Sequence, residues 1–200
     1  MANRTFAILF ASIFLAGCAT TAGTGWTDAP ATTLLEKAGS YSIDIPAGWL
    51  YRYNKSKELG NAIIATRDGP GLQRIVVVHR RNDKAFPSIE REAAPEMLAQ
   101  ELAERFVANF ATGFEQDVVD VLVSEPATLS ATNGFRVYLQ FRVGELRYQM
   151  IAHGVSTADG YFTMSYAAPV LHYFERDLDT FARTVKTFRL RKTPAAGDVR

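Results

Sequence analysis

Apolar and polar positions along the chain fall into stretches of period two, stretches of period close to four, and stretches with neither. The first regular signal is Tyr41-Ser42-Ile43-Asp44-Ile45, the alternation of a half-buried strand, stopped by Pro46-Ala47-Gly48. An aromatic strand restarts at Trp49-Leu50-Tyr51-Arg52-Tyr53, and residues 61–66 give another. The turn Asp68-Gly69-Pro70-Gly71 then leads into residues 72–79, whose β-branched run predicts a central strand buried on both faces. Between residues 88 and 111 the period changes. Leu98, Leu102, Phe106 and Phe110 recur every four residues with glutamates opposite them, which predicts an amphipathic helix from Pro95 to Gly113. Strands follow at residues 118–123, 135–143 and 146–155, the last two joined across Gly144-Glu145. A fourth at residues 161–167 enters through Asp159-Gly160, a hairpin signal. Leu171, Phe174, Leu178, Phe181 and Val185 step by three and four, so a second amphipathic helix closes the domain. Strands, helix, strands, helix, with hairpin connections and no βαβ alternation, define an α+β class: an antiparallel β-sheet flanked by two amphipathic helices.

Parity along the late strands predicts a surface. Alternate apolar residues, taken as Phe135 to Phe141 on one strand and Phe162, Met164 and Tyr166 on the last, share one face. Arg136, Tyr138, Arg142, Arg147, His153 and Tyr161 then share the other, with no carboxylate among them. Arg and Tyr tend to carry interface energy, so these six are candidate binding residues for an anionic or carbonyl-rich partner. The competing reading is a solvated face partly covered by the first helix, whose Glu101 and Glu104 would pair with the arginines. A ligand pocket between sheet and helix, lined by Phe106, Phe110, Phe174 and Phe181, is a second possibility. Catalytic signals are absent from the pattern. The three histidines, at 79, 153 and 172, have no partner at metal-ligand spacing, and no serine sits in an activated-nucleophile motif. Gly69-Pro70-Gly71 lacks the helix start of a phosphate loop. The expectation is therefore a protein that is not an enzyme and needs no cofactor or metal.

The N-terminal stretch changes this picture by giving the domain an address. Residues 1–17 carry Arg4, an apolar run from Phe6 to Ala16 and small residues before a cut, the three parts of a secretory signal. The run falls short of the roughly 20 residues of a membrane span. Leu15-Ala16-Gly17-Cys18 resembles the lipobox of bacterial lipoproteins, which implies cleavage before Cys18 and a lipid on its thiol. Two or more acyl chains anchor stably where one binds only marginally. Ala19 and Thr20 stand where an aspartate usually marks inner-membrane retention, which favours the outer membrane in a host that has one. Cys18 is the only cysteine, so no disulfide framework is available and stability must come from a packed core. Residues 18–39 read as a lipidated tether, 40–190 as a single domain and 191–200 as a disordered tail. The whole chain has 22 basic and 21 acidic residues, and removing residues 1–17 takes Arg4 and leaves 21 of each. A net charge near zero argues against a nucleic-acid partner.

Tyr41 to Trp49, an aromatic strand followed by Pro46-Ala47-Gly48-Trp49, resembles the opening of PsbP/Mog1-like domains, which include small bacterial lipoproteins of the DcrB type. The resemblance extends over residues 40–190 in element order. It implies a PsbP/Mog1-like sandwich of sheet and helices, acting as a binding or assembly factor without a shared catalytic set. Together these readings predict a lipid-anchored, periplasm-facing envelope protein that binds another envelope component, with a small-ligand carrier or, further off, an envelope hydrolase as alternatives.

Overall fold

A computed structural model describes residues 25–30, 32–35, 39–56, 60–114 and 119–191. Cys18, the secretory signal and residues 192–200 lie outside the described residues. In chain order the strands are β1 (Thr27–Asp28), β2 (Leu34–Leu35), β3 (Tyr41–Ile43), β4 (Leu50–Ser56), β5 (Gly60–Thr66) and β6 (Arg74–Arg80). Helix α1 (Ala99–Gly113) precedes β7 (Asp120–Leu129), β8 (Thr132–Val143), β9 (Leu146–Thr157) and β10 (Gly160–Pro169), and α2 (Tyr173–Thr187) leads to β11 (Arg189–Leu190). Eight strands form one antiparallel sheet in the order β1-β4-β5-β6-β10-β9-β8-β7, and β11-β3-β2 form a small second sheet.

The large sheet separates two cores. On one face Tyr41, Ile43 and Trp49 join Phe174 and Phe181 of α2 and Phe188 against Ile63, Ile75, Val77, Phe162, Met164 and Tyr166. On the other, Leu102, Ala103 and Phe110 of α1, with Ala85 and Phe86, cover Phe135, Val137, Leu139, Phe141, Met150 and Ala152. Each large apolar side chain buried in this way contributes about 1.5–3 kcal/mol. The Pro46-Ala47-Gly48-Trp49 turn is closed by the Trp49 N–H donating to the Pro46 carbonyl at 3.1 Å, with Gly48 at φ 76°. That left-handed position favours glycine, and it delivers Trp49, 3% exposed, into the core.

α2 is tied down by charge as well as by apolar contact. Asp177, 2% exposed, accepts from Arg176 at 2.6 Å and from Arg67 at 3.4 Å, while Arg176 also reaches Asp68 beside β5. The Arg176 hydrogen bond holds the Asp68 carboxyl below its ordinary range.

Several expectations are corrected. The stretch read as a tether contributes β1 and β2, because Leu34 is apolar enough to be buried and Trp26 stacks on Arg52 with the guanidinium carbon 4.8 Å from the ring centroid. Arg191, assigned to the tail, donates its N–H to the Ser40 carbonyl at 2.9 Å. The first helix begins at Ala99, four residues after Pro95, and Leu98 is 73% exposed as its N-cap. Leu171 precedes α2 and is exposed, so it does not belong to the helix stripe. Residues 120–129 form one ten-residue edge strand with a bulge between Val121 and Val123. The sheet is larger than a compact sandwich of the predicted strands would be.

Candidate functional site

The six predicted binding residues do not share one face. On β8 and β9, Arg136 lies opposite His153, Tyr138 opposite Ile151 and Arg142 opposite Arg147, all on the α2 side. On β10 it is Phe162, Met164 and Tyr166 that pair with this side, through Val155, His153 and Ile151. Tyr161 therefore points to the α1 side, where it is 3% exposed and its ring lies 4.8 Å from that of Phe86. The error has a physical source: β10 is buried on both faces, so apolar character cannot tell its faces apart, and only the register does.

The remaining five residues are divided between cover and exposure. Tyr138 is half-buried in an edge-to-face contact with Phe174, centroids 5.4 Å apart, and burial raises its pKa. His153 lies 6.2 Å from the Phe181 ring; burial, reinforced by Arg136, pushes its pKa down to about 4. Its Nδ1 has no hydrogen-bond partner. Arg136 is exposed but paired with Glu125 of β7, so a carboxylate does reach this face. Arg142 and Arg147 stand exposed without an ion pair to a described residue at the far end of the hairpin, beside exposed Val143 and Leu146. α1 does not cover these arginines, since it packs on the opposite side of the sheet, where Glu101 pairs with Arg105 at 2.6 Å. The predicted aromatic pocket is likewise divided, Phe106 and Phe110 lying in the α1 layer and Phe174 and Phe181 beyond the sheet.

A different site is present on the α1 side. α1 packs mainly on β7, β8 and β9, and on the β5–β6 side of this face Val76 and Ser165 remain half-buried while Ile64, Val78, Thr163 and Ala167 are buried. The step between helix and sheet is a groove of about 630 Å³. Its floor is Ile64, Val76, Val78, Thr163, Ser165 and Ala167, adjacent residues of three neighbouring strands. Phe106, Phe110 and Phe114 of the helix side form one wall, and Ala85 and Phe86 close an end. Arg52, Arg74 and Arg80 stand around the floor, and among the described lining residues there is no Asp, Glu or His. Burial lowers the pKa of Arg74, whose guanidinium donates to the Pro70 carbonyl at 3.4 Å. The Arg52 Nε is shielded from solvent without a hydrogen-bond partner, and so is the Tyr161 hydroxyl, whose pKa burial raises well above its ordinary range.

This groove corrects the reading of residues 72–79 as a strand buried on both faces. Val76 is half-buried on this side, although Val78 two residues on is buried. A sequence signal for it did exist: Arg74, Val76, Val78 and Arg80 share one parity, so one face of the strand is apolar between two cations. Such a site can hold a ligand with apolar length and negative charge. Among the described residues no group of three His, Cys, Asp or Glu could hold a metal ion. No described helix is long and apolar enough to cross a membrane.

No protein-family profile matches the sequence, and no curated protein matches it. Among solved structures the chain is similar to cyanobacterial PsbP (CyanoP) from Synechocystis sp. PCC 6803, at 12% identity and a TM-score of 0.57, over 88% of this chain and 99% of that one. It is also similar to a mutant of the protein Mog1, at 10% identity and a TM-score of 0.51, over 81% of this chain and 96% of that one. The class defined by this architecture is a large antiparallel sheet with a helix on each face. The particular fold is the PsbP/Mog1-like one, as the turn at residues 46–49 implied.

Proposed function

We propose that this chain is a non-enzymatic binding module of the bacterial cell envelope, a lipoprotein of the DcrB type cut before Cys18 and anchored by lipid on that residue. It faces the periplasm, from the outer membrane where the host has one, and its folded part is a single domain. Its recognition site is the groove between α1 and β4–β6. The observation that carries this reading is a mainly apolar floor, interrupted by the hydroxyls of Thr163 and Ser165 and ringed by three arginines, without a described carboxylate in the lining. Pockets of roughly 300–1,000 Å³ with a few placed polar groups are the usual form of ligand sites. The function that follows is to hold a small envelope ligand at the membrane surface.

A second reading, an assembly factor for an envelope protein, is favoured by the exposed Arg142 and Arg147 beside Val143 and Leu146. One experiment separates the two. The chain is isolated from intact cells with whatever it holds and weighed by native mass spectrometry, as wild type, as Val76→Trp, which fills the groove floor, and as Arg142→Gln/Arg147→Gln. Loss of a bound component only in Val76→Trp supports the groove; loss only in the arginine variant moves the function to the β8–β9 hairpin. Cys18→Ser, in the same cells, should leave uncut or released protein; a substituted protein still acylated and membrane-bound sinks the anchor.

A further inference from the structure

We propose that the groove holds a single-chain anionic amphiphile, its charged head between Arg52 and Arg74 and its alkyl chain along the β6 floor beneath Phe106 and Phe110. This rests on the groove being the recognition site and names the chemistry of its ligand.

Three observations select that chemistry. The first is where the cations stand. Arg52 is opposite Ile64 on β5, Ile64 is opposite Val76 on β6, and Arg74 precedes Val76 by two residues, so Arg52 and Arg74 flank the same end of the floor. Neither forms an ion pair with a described residue, and both are partly desolvated, Arg52 with a shielded Nε and Arg74 by burial. An arginine held this way gains most from an anion it can grip with two parallel N–H bonds. Arg80 is differently placed, its side chain running against Gly60 at the β4–β5 turn.

The second observation is the backbone. β5, β6 and β10 are interior strands whose N–H and C=O groups are spent on both neighbours. A peptide in the groove would find no ladder to join and would bury its own amides without partners. An alkyl chain has no such groups to satisfy.

The third is length. From position 74 to position 80 the strand advances six residues, about 20 Å, between the head end and the level of Tyr161, which pairs with Arg80. That is a run suited to one long chain, with Phe106 and Phe110 on its flank.

The test uses the full chain in nanodiscs of phosphatidylcholine, titrated with cis-parinaric acid and read by energy transfer from tryptophan. Trp26 rests on Arg52 at the rim and serves as donor. Signal from empty discs is subtracted. The expected result is saturable transfer, at least tenfold weaker for the methyl ester, with Arg52→Gln and Arg74→Gln each weakening the acid about tenfold and leaving the ester unchanged. Dodecyl phosphate should displace the probe, whereas inorganic phosphate and hexaglutamate should not. Val76→Trp should abolish transfer at an unchanged melting temperature; the two arginine variants keep the test decisive where this one does not fold.

Equal binding of acid and ester, with no effect of either arginine variant, overturns the anionic head and leaves the groove as an apolar ligand site. Displacement by hexaglutamate makes the occupant an acidic peptide, and displacement by inorganic phosphate makes it a free anion; either overturns the amphiphile. No transfer above empty discs overturns it as well, while the mass measurement above still decides whether the groove binds something else. Unchanged binding in folded Val76→Trp overturns the groove itself.

Discussion

The imidazole of His153 faces Phe181 across the α2 core, opposite Arg136 on β8 and Met164 on β10. Burial and the neighbouring guanidinium both disfavour its charged form, and its folded pKa falls from 6.5 to about 4. Between those values the unfolded chain binds more protons than the folded one, so stability rises with pH across that window and is lost as pH falls through it. Lowering the pH from 7 to 4.5 should remove about 2 kcal/mol through this ring alone. Urea denaturation of wild type and His153→Leu at the two pH values checks it: the leucine variant should lose less. It should be no less stable at pH 7, since the substitution also removes the unpartnered Nδ1. An equal loss in both proteins would mean that His153 is solvated.

Hairpins set the geometry at the scale of elements. β7 and β8 are joined through Ser130 and Ala131, both left-handed at φ 53° and 61°, the conformation that two-residue turns reserve for Asn and Gly. Ser130 has a second task, its hydroxyl accepting the Leu190 N–H at 2.9 Å and so fixing β11 to this turn. The side chain of Ala131 is a single exposed methyl and can make no such bond. Ala131→Gly should therefore stabilise the protein by about 1 kcal/mol, read as a rise in melting temperature, while Ser130→Gly should gain less or lose. These turns also explain what the sequence could reveal. Period and turn residues made α1, α2 and the strands of the β8–β9–β10 meander legible, and Pro46-Ala47-Gly48-Trp49 pointed to the fold. Register was the missing quantity. Tyr161 lies on the face opposite to the one parity predicts because Phe162, Met164 and Tyr166 look like the apolar side of a one-faced strand, whereas β10 is central and buried on both. Val76 is only half-buried, and nothing local in a β-branched run says which half of a sheet a helix will reach. The groove is thus a property of α1 lying over β7–β9 and stopping short of β6, a placement set by tertiary packing.

Across the whole molecule one sheet is shared by two cores that do not touch each other. Trp49 lies in the α2-side core and Phe110 in the α1-side core. Truncating either to alanine should cost about 3–5 kcal/mol. Because β8, β9 and β10 line both layers, neither core can melt while leaving the other its floor. Unfolding should therefore remain a single transition in each variant, with near- and far-ultraviolet circular dichroism coincident. The two costs should add within about 0.5 kcal/mol in the double variant, as for sites that share no partner. Two resolved transitions would mean that the layers are independent units. A mechanical consequence follows from β1. Among the described residues this two-residue strand pairs with β4 alone, and Trp26 just before it rests on Arg52. Tension drawn along the chain from its N-terminal side meets these two residue pairs first, and they can peel away without opening the β4–β5 ladder. The earliest yield to a pull is thus at the rim of the groove, where Ala29 and Tyr51 pack on the edge of the α2-side core, so such a pull would disturb the Trp26 seat of Arg52 before the ladders of the large sheet opened.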